Sequence, residues 1–201
     1  MKNKWELLYN PFTKIAGWKA LVVGTVIVCA TVVMGYYNHA YFSVLQIKMA
    51  LHPSLWQCFA IQATGLLSLI LLMYLVSLFF VKRVRLQDVA GMALLSRFPY
   101  LFLLPILFYF SPVLESIVGT TQENLSVEDF NESISVSGYL MLLLFAALVL
   151  LLLGWNIVLL YHAFKVSTGI KGRKTGILLA GIIILSEIII FLLTPLFRHI
   201  K

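Results

Sequence analysis

Five apolar stretches, each long enough to cross a bilayer, constrain this chain more than any other feature. A helix needs about 20 mostly apolar residues to span roughly 30 Å of hydrocarbon. Such segments run from Ala20 to Tyr37, Leu55 to Val81, Val89 to Phe110, Gly138 to Phe164 and Ile177 to Phe197. Together they use more than half of the 201 residues. What remains is a short N-terminal lead, three short connections, one longer polar loop and a tail from Arg198 to Lys201. The expected fold class is therefore all-α: a single domain over residues 1–201, built as an integral membrane bundle of five transmembrane helices. The composition agrees, with 61% of residues hydrophobic and 11% charged, where a soluble domain has roughly a quarter charged.

The lead MKNKWELLYNPFTKIAGWK imitates the basic region of a secretory signal. The following stretch is too long for that role, no A-x-A site ends it, and four more spans follow, so a retained span is expected. VIVC, ending at Cys29, lacks the small residues that precede a lipidated cysteine. Cys29 and Cys58 fall in different spans and are expected as buried thiols, with a disulfide as the alternative; neither reading implies a redox compartment.

The net charge of +7 is distributed unevenly. Lys2, Lys4, Lys14 and Lys19 precede the first span, Lys82, Arg83 and Arg85 separate the second from the third, and Lys165, Lys171, Arg173 and Lys174 separate the last two. The other side carries Lys48, Arg198 and Lys201, and its loop from Ser111 to Ser137 holds Glu115, Glu123, Glu128, Asp129 and Glu132. The positive-inside rule then predicts a cytoplasmic N-terminus and an external C-terminus, as an odd number of spans requires. The basic excess is a topology signal, with membrane lipids as its partners and no nucleic acid.

Aromatic residues mark the same boundaries: Trp5, Tyr9, Phe12 and Trp18 are expected at the inner interface, and Tyr36, Tyr37, Tyr41, Phe42, Trp56, Phe59, Tyr109 and Tyr139 at the outer one. The lead, apolar at Trp5, Leu8, Phe12 and Ile15, is expected along the bilayer surface. In the polar loop, Ser126 and Asp129 have capping-box spacing for a short helix, and Asn124 and Asn131 open N-x-S sequons. Small residues at Ala16, Ala20 and Gly24, and at Gly172, Gly176 and Ala180, permit close helix approach, expected within the chain.

The chemistry of membrane enzymes is missing. No Asp lies in a span, and H-E-x-x-H, G-x-S-x-G and P-loop patterns are absent. His39, His52 and Cys58 match no metal spacing. No catalytic residue, metal or cofactor is expected. The ionisable groups deep in the spans are Arg97 and Glu187. Asn156 falls at a similar depth, with Thr31, Ser68 and Tyr74 supplying hydroxyls nearby, so one polar centre is expected to gather them. In it Glu187 pairs with Arg97 and Asn156 completes the hydrogen bonds. Pro99 and Pro105 interrupt the third span beside Arg97 and free backbone carbonyls there.

Three stretches, 10-NPFTKIAGW-18, 88-DVAGMALLSRFP-99 and 155-WNIVLLYHAFKVSTGIKGRKTG-176, resemble the Yip1 domain family of multi-span membrane proteins. In eukaryotes the resemblance implies a Golgi or endoplasmic-reticulum protein that contacts prenylated small GTPases in vesicle traffic. This chain has no counterpart of that family's long cytosolic N-terminal region or its acidic-aromatic segment, which argues against GTPase binding. Its shorter layout is similar to the bacterial members, which implies the bacterial cytoplasmic membrane. The expected function is non-enzymatic: membrane organisation or trafficking through helix-mediated association with lipids or other membrane proteins. The alternative is a small permease or substrate-binding transporter subunit with a polar site around Arg97 and Glu187.

Overall fold

A computed structural model of the chain describes residues 10–50, 53–81, 84–103, 105–110, 136–170 and 172–197. Five helices in it are long and apolar enough to cross a membrane. They are α1 (Trp18–Tyr37), α2 (Leu55–Phe80), a third span over Leu86–Phe110 that begins as α3 (Leu86–Leu95), α4 (Val136–Thr168) and α5 (Arg173–Phe197). The expected short helix near Ser126, both sequons, His52, Trp5 and the tail from Arg198 lie outside the described residues.

Contacts fix the relative direction of neighbours. A Cβ built on Gly91 would meet Leu21 N at 2.8 Å, and one on Gly24 would meet Leu94 Cβ at 2.6 Å, so α1 and α3 run parallel. These two glycines let the backbones approach to a distance that no side chain fits. Thr31 on α1 accepts a hydrogen bond from Gln62 Nε2 on α2 at 2.6 Å, both residues buried. Nearer the end of α1, Val32 and Val33 share a groove with Leu55, Trp56 and Phe59 at the start of α2, so the pair is antiparallel. The third span and α4 are also antiparallel, because Phe110 meets Phe145 at one end while Phe102 stacks on Trp155 farther down. On α5, Ile190 meets Gly65 while Phe197 lies towards Gln57 near the start of α2, so α1, the third span and α5 start at one end of the bundle, here the N-terminal face, and finish at the other, the hairpin face.

The all-α expectation needs one addition. Residues 38–54, expected as a simple connection, contain β1 (Ala40–Phe42) and β2 (Ile47–Met49), an antiparallel hairpin with Tyr41 opposite Lys48. Its turn is closed by Ser43 N–H donating to Gln46 O at 2.9 Å. Rather than lying over the hairpin face, the turn descends into the bundle. Val44 is completely buried in the core with Leu69, Met73, Ala93, Leu160 and Phe164. Val44 N lies 3.5 Å from where a Gly65 Cβ would sit. Gly65 is ten residues into α2, which puts the turn roughly 15 Å below that helix end.

Several side chains follow from this descent. Phe42, expected at the interface, is buried with Tyr100, Leu103 and Leu107. Phe12 is likewise buried, against Met92, Leu159 and Ala163, so the lead enters the bundle at Pro11–Thr13 instead of lying flat at that point. Cys58 is buried and Cys29 exposed, and both are free thiols, which corrects the expectation that Cys29 is covered. Of the two small-residue series, Ala20 and Gly24 pack inside the bundle, whereas a Cβ at Gly172 or Gly176 would meet nothing within 4 Å.

Candidate functional site

The third span breaks at the first of its two prolines, Pro99. After Leu95 the chain passes through turns closed over three residues: Arg97 N–H donates to Leu94 O at 3.1 Å, Phe98 N–H to Leu95 O at 3.1 Å, and Tyr100 N–H to Arg97 O at 2.9 Å. Pro99 has no N–H to give and restricts Phe98 before it. In a three-residue turn, side chains three apart eclipse. Arg97 and Tyr100 consequently share one side, with the guanidinium 5.3 Å from the Tyr100 ring centre.

That side faces the hairpin turn. Arg97 Nη1 donates to Ser43 O at 3.2 Å and to Val44 O, and the Tyr100 hydroxyl donates to Val44 O at 3.0 Å. From α5, Glu187 holds the same turn by its opposite polarity. Its Oε1 accepts from Leu45 N–H at 2.6 Å and its Oε2 from Ser43 Oγ at 3.2 Å. The cation meets carbonyls and the anion meets donors, so each charge is matched to one end of the turn's peptide dipoles. Irregular backbone at membrane depth is tolerated only where protein satisfies its polar groups, and here two otherwise costly charges do so.

The expected direct pair between Arg97 and Glu187 is therefore replaced by an indirect one. No ion pair joins them; the turn from Ser43 to Leu45 lies between. The physical reason is competition, since buried backbone groups of the hairpin offer both charges nearer partners. Asn156 does reach this centre from α4, beside Tyr100. It does not complete the hydrogen bonds of Arg97. Its amide lies by the Tyr100 hydroxyl without a hydrogen bond of normal geometry to it, and its polar atoms, like Arg97 Nε and Nη2, are buried. Arg97 and Asn156 are sealed, at 1% and 0% exposed, whereas Glu187 is only half-buried. Beside this centre Phe102 stacks on Trp155 and Phe98 meets both rings edge to face, with ring centres 5.4 to 6.0 Å apart.

The other expected members stay apart. Thr31 belongs to the separate contact with Gln62, and Ser68 donates to Gly65 O within its own helix. Sequence reasoning missed Ser43, Val44, Leu45 and Tyr100. The available signal was the apolar character of 40-AYFSVLQIKM-49, which is unusual for a solvated connection.

At the hairpin face a cavity of about 390 Å³ opens between the hairpin stem, the start of α2 and the end of α5. Its floor is formed by Ser43, Ile61 and Ile190, and its rim includes Tyr41, Lys48 and Gln57. Tyr41 donates its hydroxyl to Gln57 Oε1 at 3.1 Å, and that oxygen also accepts from Ser54 N–H as half of the capping box that starts α2. Burial, and then the neighbouring Cys58, push the Tyr41 phenol above its ordinary range, which keeps it a donor. Among the described residues no group of three metal-ligating side chains occurs.

No family model matches the chain, and no curated protein or solved structure matches it either.

Proposed function

We propose that this chain is a non-enzymatic integral membrane protein of Yip1 type, with a cytoplasmic N-terminus, that works by associating with lipids or other membrane proteins. The observation that carries the reading is the commitment of the fully buried Arg97 to the hairpin carbonyls. A guanidinium 1% exposed that holds backbone carbonyls through Nη1 is not reached by a passing substrate. What the bundle leaves outward is apolar helix surface. Among the described residues α4 is the span least covered by its neighbours, and a groove of about 440 Å³ between α4 and α5 is lined by Ile157, Val158, Tyr161, Gly176 and Ile184. In the bacterial cytoplasmic membrane such faces meet acyl chains or partner helices.

One observation favours the alternative of a small permease or substrate-binding subunit: the cavity floor at Ser43 is hydrogen-bonded to Glu187. Affinity purification from native membranes, with proteins, lipids and small solutes all identified, separates the two. Association predicts membrane proteins or lipids in stoichiometric amounts, reduced by a Gly176→Phe change that fills the groove. Recovery of a water-soluble solute, taken up by vesicles containing the pure protein, would establish the permease instead. The orientation is tested in the same cells. Cysteines at Gly172 and Lys48 should label from opposite sides, and labelling of both from outside overturns the topology.

A further inference from the structure

We infer that the hairpin-face cavity binds an anionic amphiphile, with the acidic headgroup at Lys48 and hydrocarbon against its inner walls. The inference rests on the lipid-association reading above and names the ligand class that the reading leaves open. Its volume of about 390 Å³ falls in the range of roughly 300–1,000 Å³ typical of small-molecule sites.

The distribution of polarity within the cavity selects the ligand. Met49, Ile61, Ile190 and Phe197 supply apolar wall, while Lys48 is the one charged side chain among the described lining residues and is exposed. Glu187 does not line the cavity; it accepts from Leu45 N–H and from the hydroxyl of Ser43, which does. Among the described lining residues a headgroup at the rim therefore meets an ammonium and no acid.

Within the cavity a single ammonium thus stands beside apolar wall, the combination of charge and hydrocarbon by which pockets between spans bind acidic headgroups.

A phospholipid phosphodiester and a free fatty-acid carboxylate share this chemistry. They are distinguished by native mass spectrometry of the full-length protein released from nanodiscs of phosphatidylcholine alone, of phosphatidylcholine with phosphatidylglycerol, or of phosphatidylcholine with oleate. The expected result is retention of one anionic lipid per chain, enriched about fivefold or more over phosphatidylcholine, a difference of about 1 kcal/mol. Enrichment of phosphatidylglycerol identifies a membrane lipid, and enrichment of oleate alone a free acid; each supports the site. Lys48→Gln should abolish the enrichment, and Ala50→Trp, which fills the cavity from the stem, should abolish retention. Lys165→Gln on the opposite face should change neither. Equal retention of acidic and zwitterionic lipid, or equal effects of Lys48→Gln and Lys165→Gln, overturns the inference. If purification still recovers membrane partners in that case, the association reading survives and only this site fails.

Discussion

Replacing Arg97 with Met is expected to destabilise the protein by about 2–4 kcal/mol in detergent unfolding. The change leaves Ser43 O buried without its donor and Val44 O with Tyr100 alone. An unsatisfied buried group costs roughly 1–3 kcal/mol, more when a charged partner is lost. Glu187→Met removes the acceptor for Leu45 N–H and should cost somewhat less, because Glu187 is only half-buried. Tyr100→Phe should be mildest, about 1 kcal/mol, since Arg97 still serves the same carbonyl. The double change of Arg97 and Glu187 is expected to cost clearly less than the sum of the singles. Both release one turn, and once it has left its seat the second loss matters little. Strict additivity would mean that the turn does not couple them.

The second large effect concerns the crossing of α1 and α3. A Cβ at Gly24 would lie 2.7 Å from Leu95 N, and one at Gly91 would lie 3.0 Å from Gly17 O. Backbone atoms on the far side cannot rotate away as a side-chain tip can. Gly24→Val and Gly91→Val should each cost about 3 kcal/mol or more, at or beyond the upper end of ordinary overpacking. The same substitution at Gly176, where nothing lies within 4 Å, should leave the melting temperature within a degree or two of the parent. Equal losses at all three glycines would contradict the packing. Because α3 carries the chain into the Arg97 turn, the two strong variants should also loosen the hairpin.

These expectations show which parts of the molecule were legible before its structure. Span positions follow from hydrophobic length alone. The third was expected from Val89 and begins at Leu86, and the fourth was expected over Gly138–Phe164 and runs from Val136 to Thr168, ends that shift because polar residues continue a helix past the apolar core. The break at Arg97 was legible too, since proline acts locally. The hairpin was not. Its strands are three residues each, and its turn, 43-SVLQ-46, has no glycine or asparagine to announce it. Ten residues is also too short for a span, so a hydropathy reading assigns them to the connection. The partners of Arg97 and Glu187 were missed for a related reason. Counting along helices gives the depth of side chains, whereas here the nearest partners are backbone groups of a segment whose depth no helical count supplies. Two isolated charges of opposite sign at mid-span were the remaining hint that irregular backbone lay between them.

The clamped, descending turn is the central claim, and thiol accessibility tests it most directly. In a Cys29→Ala, Cys58→Ala background, Lys48→Cys and Val44→Cys differ by four positions on one hairpin, one exposed and the other fully buried. With a membrane-impermeant maleimide, Lys48→Cys should react freely and Val44→Cys at least about tenfold more slowly, because reaction there requires local opening of a buried segment. Adding Arg97→Met to the Val44→Cys protein should bring its rate up towards that of Lys48→Cys. If Val44→Cys reacts as fast as Lys48→Cys while Arg97 is in place, the turn lies at the surface and the account of the site is wrong.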